Sequence, residues 1–192
     1  MVIMSIKNNI KDWSYSRISN YLTCQLQFEH KNIMKEVEQQ PYFVSERGTR
    51  IHKLAEQLVL GNVTGMPDEL KAFAYELKEL KRLQASAETD LTFTQNWKPT
   101  HAKDWSGAWC RVAIDSTVTQ ETIGTAIDYT SGKVYDAHEL KGLIDAVAMF
   151  IHFPLLEQVD VEFWYFDSMS KENVMGDTYT RGQLPELQKY LV

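Results

Sequence analysis

Near residue 86 the apolar residues of this chain stop recurring at helical spacing and become concentrated in short β-branched runs. Upstream, Ser14 to Ile33 carries Ile18, Tyr21, Leu22 and Leu26 at helical intervals, with Ser14 or Ser16 as the cap. Glu46 to Leu60 places Ile51, Leu54, Ala55, Leu58 and Val59 on one face and stops at Gly61. A third helix opens at Pro67-Asp68 and is expected to run to about Ser86. Downstream, Glu88–Phe93, Ala108–Val118 and Thr122–Tyr129 are rich in β-branched and aromatic residues and predict strands. Thr119-Gln120-Glu121 is short enough to make the last two a hairpin. A buried helix follows, marked by Leu140, Leu143, Ile144, Val147, Ala148 and Ile151 and ended before Pro154. Val159–Phe166 predicts another strand and Arg181–Leu191 a closing helix. This order predicts an α/β (α+β) fold, with a helical N-terminal portion and no internal repeat.

The chain has 192 residues, enough for one sizeable core and short for two, so a single domain over 1–192 is expected. No apolar run approaches the ~18–20 residues that cross a bilayer. Leu143 to Leu156 comes nearest and is interrupted by Asp145, His152 and Pro154. The segment MVIMSIKNNIKDW has no continuous apolar stretch followed by a small-residue cleavage site, so no secretion signal is expected. The two cysteines, Cys24 and Cys110, cannot build a disulfide framework. A reducing, cytoplasmic setting is the expectation. The net charge of −6 runs against the basic surplus of non-specific nucleic-acid binders. Carboxylates gathered to hold a metal would produce the same excess.

Four potential metal ligands fall at telling places: His52 within the second helix, Glu88 opening the first strand, Asp115 in RVAIDSTV and Asp128 in TAIDYTSGK. Neighbouring strands can bring two carboxylates to one edge, where they share a divalent cation. Magnesium takes such oxygen ligands, and a histidine shifts preference toward softer ions such as manganese. A cation so held suits phosphodiester hydrolysis, which needs a Lewis acid and an activated water. Against this, an aspartate ending a strand is commonly a turn or cap residue, and a lone helical histidine is commonly a packed one. Asp115, in an apolar strand, is harder to dismiss, because a buried carboxylate needs a partner.

Taken in order, the segments resemble the PD-(D/E)xK nuclease superfamily, in its RecB-like, phage-exonuclease-like branch. WSYSRISNYLTCQLQFEHKNI resembles the opening helix, with Gln25 where a proline usually follows the cysteine. RGTRIHKLAEQLV resembles the element carrying the metal-binding histidine, here His52. Glu88 matches the glutamate opening the first strand, GAWCRVAIDSTV the strand of the motif aspartate, Asp115, and TAIDYTSGK the strand end usually written I-D-Y-K-T-G-K, with Asp128 as the second acid. HELKGLIDAVAMFIHFP, VDVEFWYFD and RGQLPELQKYLV match the later helix, strand and terminal helix. The resemblance implies a restriction-endonuclease-like core, a central mixed sheet flanked by helices. It also implies a magnesium or manganese cofactor, DNA as partner, and His52, Glu88, Asp115 and Asp128 as ligands.

The departures bear on activity. The lysine two positions after the second acid is Thr130, the glycine near the motif aspartate is Val112, and the glutamine and tyrosine of the following helix are Lys141 and Asp145. A threonine hydroxyl carries no positive charge. Three readings stay open. Lys141 could deliver the missing ammonium, with Lys133 as a poorer second choice; the chain could be a pseudo-nuclease that binds DNA or protein without cutting; or Thr130 could be an introduced change. Relatives in CRISPR adaptation hold an iron–sulfur cluster with Cys24's counterpart and three later cysteines. None follows Cys110 here, so no cluster is expected and Cys24 reads as a buried small residue. Among Trp13, Tyr15, Arg17, Trp97, Trp105, Trp109 and Arg111, packing explains most, and Arg17 and Arg111 are the preferred DNA contacts. Asp115, Asp128 and Lys141 are the expected catalytic residues of an exonuclease used in phage recombination or DNA turnover, in the host cytoplasm if phage-encoded.

Overall fold

The computed structural model describes residues 12–36, 46–101, 107–131, 138–167 and 173–191. Strand β1 (Trp13–Ser14) leads into helix α1 (Tyr15–Thr23), α2 (Gln25–Phe28) and a π turn at Glu29–Ile33. The single helix expected over this stretch is broken at Cys24, whose backbone is extended at φ −159°. Its exposed thiol accepts from the Gln27 N–H at 3.5 Å and caps α2, so this cysteine is not the buried filler that was expected. Helix α3 (Glu46–Val59) follows the predicted bounds closely. The third predicted helix is shorter than expected: a 3-10 stretch (Asp68–Phe73) precedes α4 (Ala74–Arg82), and β2 (Ser86–Phe93) begins after Gln84 turns the chain at φ 56°.

Strands β3 (Pro99–Thr100), β4 (Cys110–Gln120) and β5 (Ile123–Thr130) come next, the last two joined through Glu121 at φ 52°. Helix α5 (His138–His152) crosses to β6 (Gln158–Tyr165), then come β7 (Val174–Thr180), a 3-10 turn at Arg181–Gln183 and α6 (Leu184–Leu191). The sheet order is β3-β2-β4-β5-β6-β7, with β1 added in parallel beside the start of β4. β2, β4 and β5 are antiparallel, whereas β5 and β6 are parallel around the α5 crossover. This is the α/β fold that the order of elements predicted and the mixed sheet flanked by helices that the family resemblance implied. β7 was not foreseen. It is exposed along nearly its whole length, so no burial alternation marks it. A Cβ on its Gly176 would come within 2.1 Å of the Val161 carbonyl oxygen, so the close pairing with β6 requires glycine there.

Two apolar cores lie on opposite faces of the sheet. Consecutive residues show it: Ala126 belongs to one and Ile127 to the other, as do Phe163 and Trp164. The first core packs α5, whose Ile144, Met149 and Phe150 are at most 1% exposed. Burial of side chains this size contributes about 1.5–3 kcal/mol each. The second core packs α3, α4 and the 3-10 stretch through Ile51, Leu58, Leu70, Phe73 and Leu77. Among the described residues, no helix is long and apolar enough to cross a membrane.

The alternation of faces breaks once, and at the same level in two strands. In β4, Val112 and Ile114 belong to the first core and Val118 to the second, although all three positions have the same parity. In β2, Leu91 and Phe93 belong to the first core while Ala87 packs on the second. A period of two cannot give that without one irregular residue. Glu88 is that residue in β2. Of the described non-glycine residues at positive φ, it alone lies inside a strand, at 49°. Its counterpart is Asp115, since the β2–β4 pairing runs from Ala87↔Ser116 to Thr89↔Ile114 and skips the pair between. On its other side β4 also loses its partner here, because pairing with β5 stops at Ser116↔Ile127.

Candidate active site

Where β4 and β5 part, backbone groups lose their ladder partners and side chains take over. The Tyr129 N–H donates to Asp115 Oδ2 at 2.6 Å. The other Asp115 oxygen, Oδ1, is 2.8 Å from His52 Nδ1. His52 reaches it from α3, between the buried Ile51 and Ala55 that pin the helix to the sheet. Glu88 completes the group from β2. One ligand atom each from His52, Glu88 and Asp115 lie within 4.8 Å of one another. An imidazole and two carboxylates from three elements form a donor set that suits a divalent cation.

The electrostatics of this first cluster are those of surplus negative charge. Burial raises the Glu88 carboxyl above its ordinary range, the Asp115 charge raises it further, and Glu56 and Asp90 add to this against the opposing His52. Burial works against a charged His52, but the hydrogen bond and charge of Asp115, with Glu88 and Asp128, outweigh it and raise the imidazole. Glu56 follows His52 by one helical turn, and that spacing was the signal by which sequence reading could have found it.

Asp128 belongs to a second cluster. Its Oδ2 accepts from Lys141 Nζ at 2.7 Å, and the same ammonium is 2.9 and 2.7 Å from the two oxygens of Asp145 and 3.2 Å from the Ala113 carbonyl. Asp145 is fully buried. Burial raises its carboxyl well above the ordinary range, with Lys141 opposing and Asp128 reinforcing. Burial also opposes the Lys141 charge, but the two carboxylates prevail and raise it. Three of the four expected ligands are thus gathered in one group, and the fourth, Asp128 on the neighbouring strand β5, is tied to Lys141 of α5. Asp145, singled out in the sequence only as a departure from the family's tyrosine, stands one turn after Lys141 on α5, the spacing that lets the two pair.

Thr130 ends β5 as an ordinary strand residue, its carbonyl accepting from the Phe166 N–H at 3.0 Å. Lys133 and Trp105 lie outside the described residues. The two arginines expected at DNA converge on Asp12: Arg17 Nη1 at 2.8 Å from Oδ1 and Arg111 Nε at 3.0 Å from Oδ2. Arg111 and Lys141 both line a cleft of about 350 Å³ that also borders Ser14, Ser16 and Thr92. Trp13, Trp97 and Trp109 pack with Phe93 and against one another at ring separations of 5.0 to 6.2 Å.

A sequence model of the PD-(D/E)XK nuclease superfamily matches residues 12–150, a span that includes every residue of both clusters. The chain belongs to the PD-(D/E)XK nuclease superfamily. Among solved structures, a candidate exonuclease from Eubacterium rectale is 12% identical over 95% of this chain and 78% of its own, with a TM-score of 0.51. At that identity the likeness is one of fold. An alkaline exonuclease from Laribacter hongkongensis aligns over 94% of this chain and 84% of its own at 10% identity, with a TM-score of 0.36. No curated protein matches the sequence. This PD-(D/E)XK protein carries two acid clusters on its sheet, and Thr130 stands where the sequence resemblance expects a lysine.

Proposed function

We propose that this protein is a metal-dependent DNA nuclease of the exonuclease type, hydrolysing phosphodiester bonds with magnesium or manganese held by His52, Glu88 and Asp115. The observation that carries this is the convergence of those three donors within 4.8 Å in a place where negative charge is left uncompensated. A divalent cation bound there supplies Lewis-acid activation of the phosphoryl group and of water. The protein's own part is to fix the donors. Asp115 is held at both oxygens, by the His52 ring and the Tyr129 N–H, so its orientation is set before any ligand arrives. Asp128, the fourth residue expected to hold metal, is tied through Oδ2 to Lys141 and acts on the cluster through its charge, which helps to raise the His52 imidazole. Lys141 supplies the positive charge that Thr130 cannot, beside the place where charge develops at phosphorus. Arg111, which lines the cleft, and Arg17, which shares Asp12 with it, are proposed to meet the DNA backbone.

A second reading has its own observation. Lys141 Nζ already faces four protein oxygens at 3.2 Å or less, which favours a pseudo-nuclease that binds DNA or protein without cutting. End-labelled linear single- and double-stranded DNA, incubated with manganese, magnesium or chelator, separates the two. The nuclease reading expects cleavage that requires metal and is lost in Asp115→Ala. Absence of cleavage at millimolar metal on both substrates favours the binding module.

A further inference from the structure

Lys141 occupies an unusual position for a surface-capable side chain. Oxygens from three separate elements surround its nitrogen: Asp128 Oδ2 from β5 at 2.7 Å, both Asp145 oxygens from α5 at 2.7 and 2.9 Å, and the Ala113 carbonyl from β4 at 3.2 Å. An ammonium has three hydrogens to give, so this one is fully committed to the protein. Two carboxylates and a backbone carbonyl converging on one point are the ligand types that bind a hard divalent ion. The cage differs from a bare acidic cluster because it already holds a cation, and one of its carboxylates has 0% exposure. A carboxylate so placed requires a partner charge.

From this geometry we infer that Lys141 is a tethered monovalent cation filling what would otherwise be a second divalent-ion site. The protein then binds one metal ion, at His52–Glu88–Asp115, and none between Asp128 and Asp145. The inference rests on the metal-dependent reading above for the first ion only; the exclusion of a second follows from the cage itself. Its chemical consequence is fixed stoichiometry. One positive charge of the site is built in and cannot be removed by chelation, while the other is supplied by the medium.

The test counts manganese bound per chain, from the paramagnetic resonance signal of the free ion, in the intact protein and in variants. One ion is expected for the wild type, two for Lys141→Met, and one again for Lys141→Met combined with Asp145→Asn. Asp145→Asn alone should leave the count at one, and a fall would overturn the inference by showing Asp145 already engaged with metal. An unchanged count in Lys141→Met, or two ions in the wild type, would also overturn it. A wild type that binds none contradicts the metal-dependent function, whereas the gain of one ion on removing Lys141 still reads the inference separately. If Lys141→Met is unfolded in metal-free buffer, far-ultraviolet circular dichroism takes over. Refolding on addition of manganese supports the inference, and a chain that stays unfolded at saturating manganese overturns it.

Discussion

Asp115 and Asp128 stand on adjacent strands at the point where those strands separate, yet their surroundings differ in kind. The Asp115 cluster gathers His52 and Glu88, with Glu56 and Asp90 close enough to push the Glu88 carboxyl up further. Its charge is left open. The Asp128 cluster contains Asp145 and Lys141, and the ammonium bridges the two carboxylates at 2.7 Å each. Its charge is largely closed by the protein itself. The contrast shows that an acidic residue at a strand end is not a ligand by position alone; what decides is whether the fold supplies a counter-charge. Here α3 brings only a titratable imidazole to the first site, whereas α5 brings a permanent cation to the second.

The largest effect expected follows from opening the closed cluster. Lys141→Ala leaves Asp145 buried beside Asp128 without a counter-charge, and breaking a buried pair in this way costs about 3–5 kcal/mol. Urea denaturation in metal-free buffer reads it; a loss below about 1 kcal/mol, the scale of a surface pair, would mean the ammonium does not hold this region together. The same substitution should slow cleavage by roughly 3–4 kcal/mol of barrier, the scale of one preorganised donor, as measured on labelled DNA.

A smaller effect is expected from Thr130→Lys, which adds a second ammonium near Asp128. If Lys141 already serves there, the cleavage rate should change by less than about tenfold, or 1.4 kcal/mol of barrier. A much larger gain would mean that the lysine was lost and not replaced, and the two clusters would have to be reinterpreted.

The smallest effect lies away from both clusters and calibrates them. Burial lowers the His152 imidazole below its ordinary 6.5, against the Thr92 carbonyl that favours its charged form. The folded state then binds fewer protons than the unfolded state, so stability is lost as pH falls from 6.5 toward the folded value and is regained above it. The raised His52 imidazole contributes with the opposite sign, so the difference is what reads His152: urea midpoints of the wild type should fall relative to those of His152→Gln as pH drops from 8 to 5.

Much of the fold was legible because burial wrote it into the sequence. β4, β5, β6 and α5 are the most heavily buried elements and accordingly the richest in apolar residues, and their predicted bounds hold to within a few residues. β7 left no such mark, since an exposed strand has no apolar face to repeat. The break of α1 from α2 was hidden because helical spacing continues through Cys24, and only its backbone reveals the interruption. At the site, His52, Glu88, Asp115 and Asp128 could be named from residue type and order. Their division into an open and a closed group could not. It depends on the positive φ at Glu88 and on the ladder ending at Ser116, neither of which is encoded in any local pattern.

The open cluster is expected to take a divalent cation and the closed one to take none. Thermal melting of the wild type and Asp115→Ala across micromolar to millimolar manganese tests it most directly. A ligand that binds only the folded state stabilises it by about 2.7 kcal/mol at a hundred times its dissociation constant. The wild-type melting temperature should therefore climb with manganese, and Asp115→Ala should melt at one temperature throughout. A wild type indifferent to manganese, or an Asp115→Ala variant that gains as much as the wild type, would contradict the account.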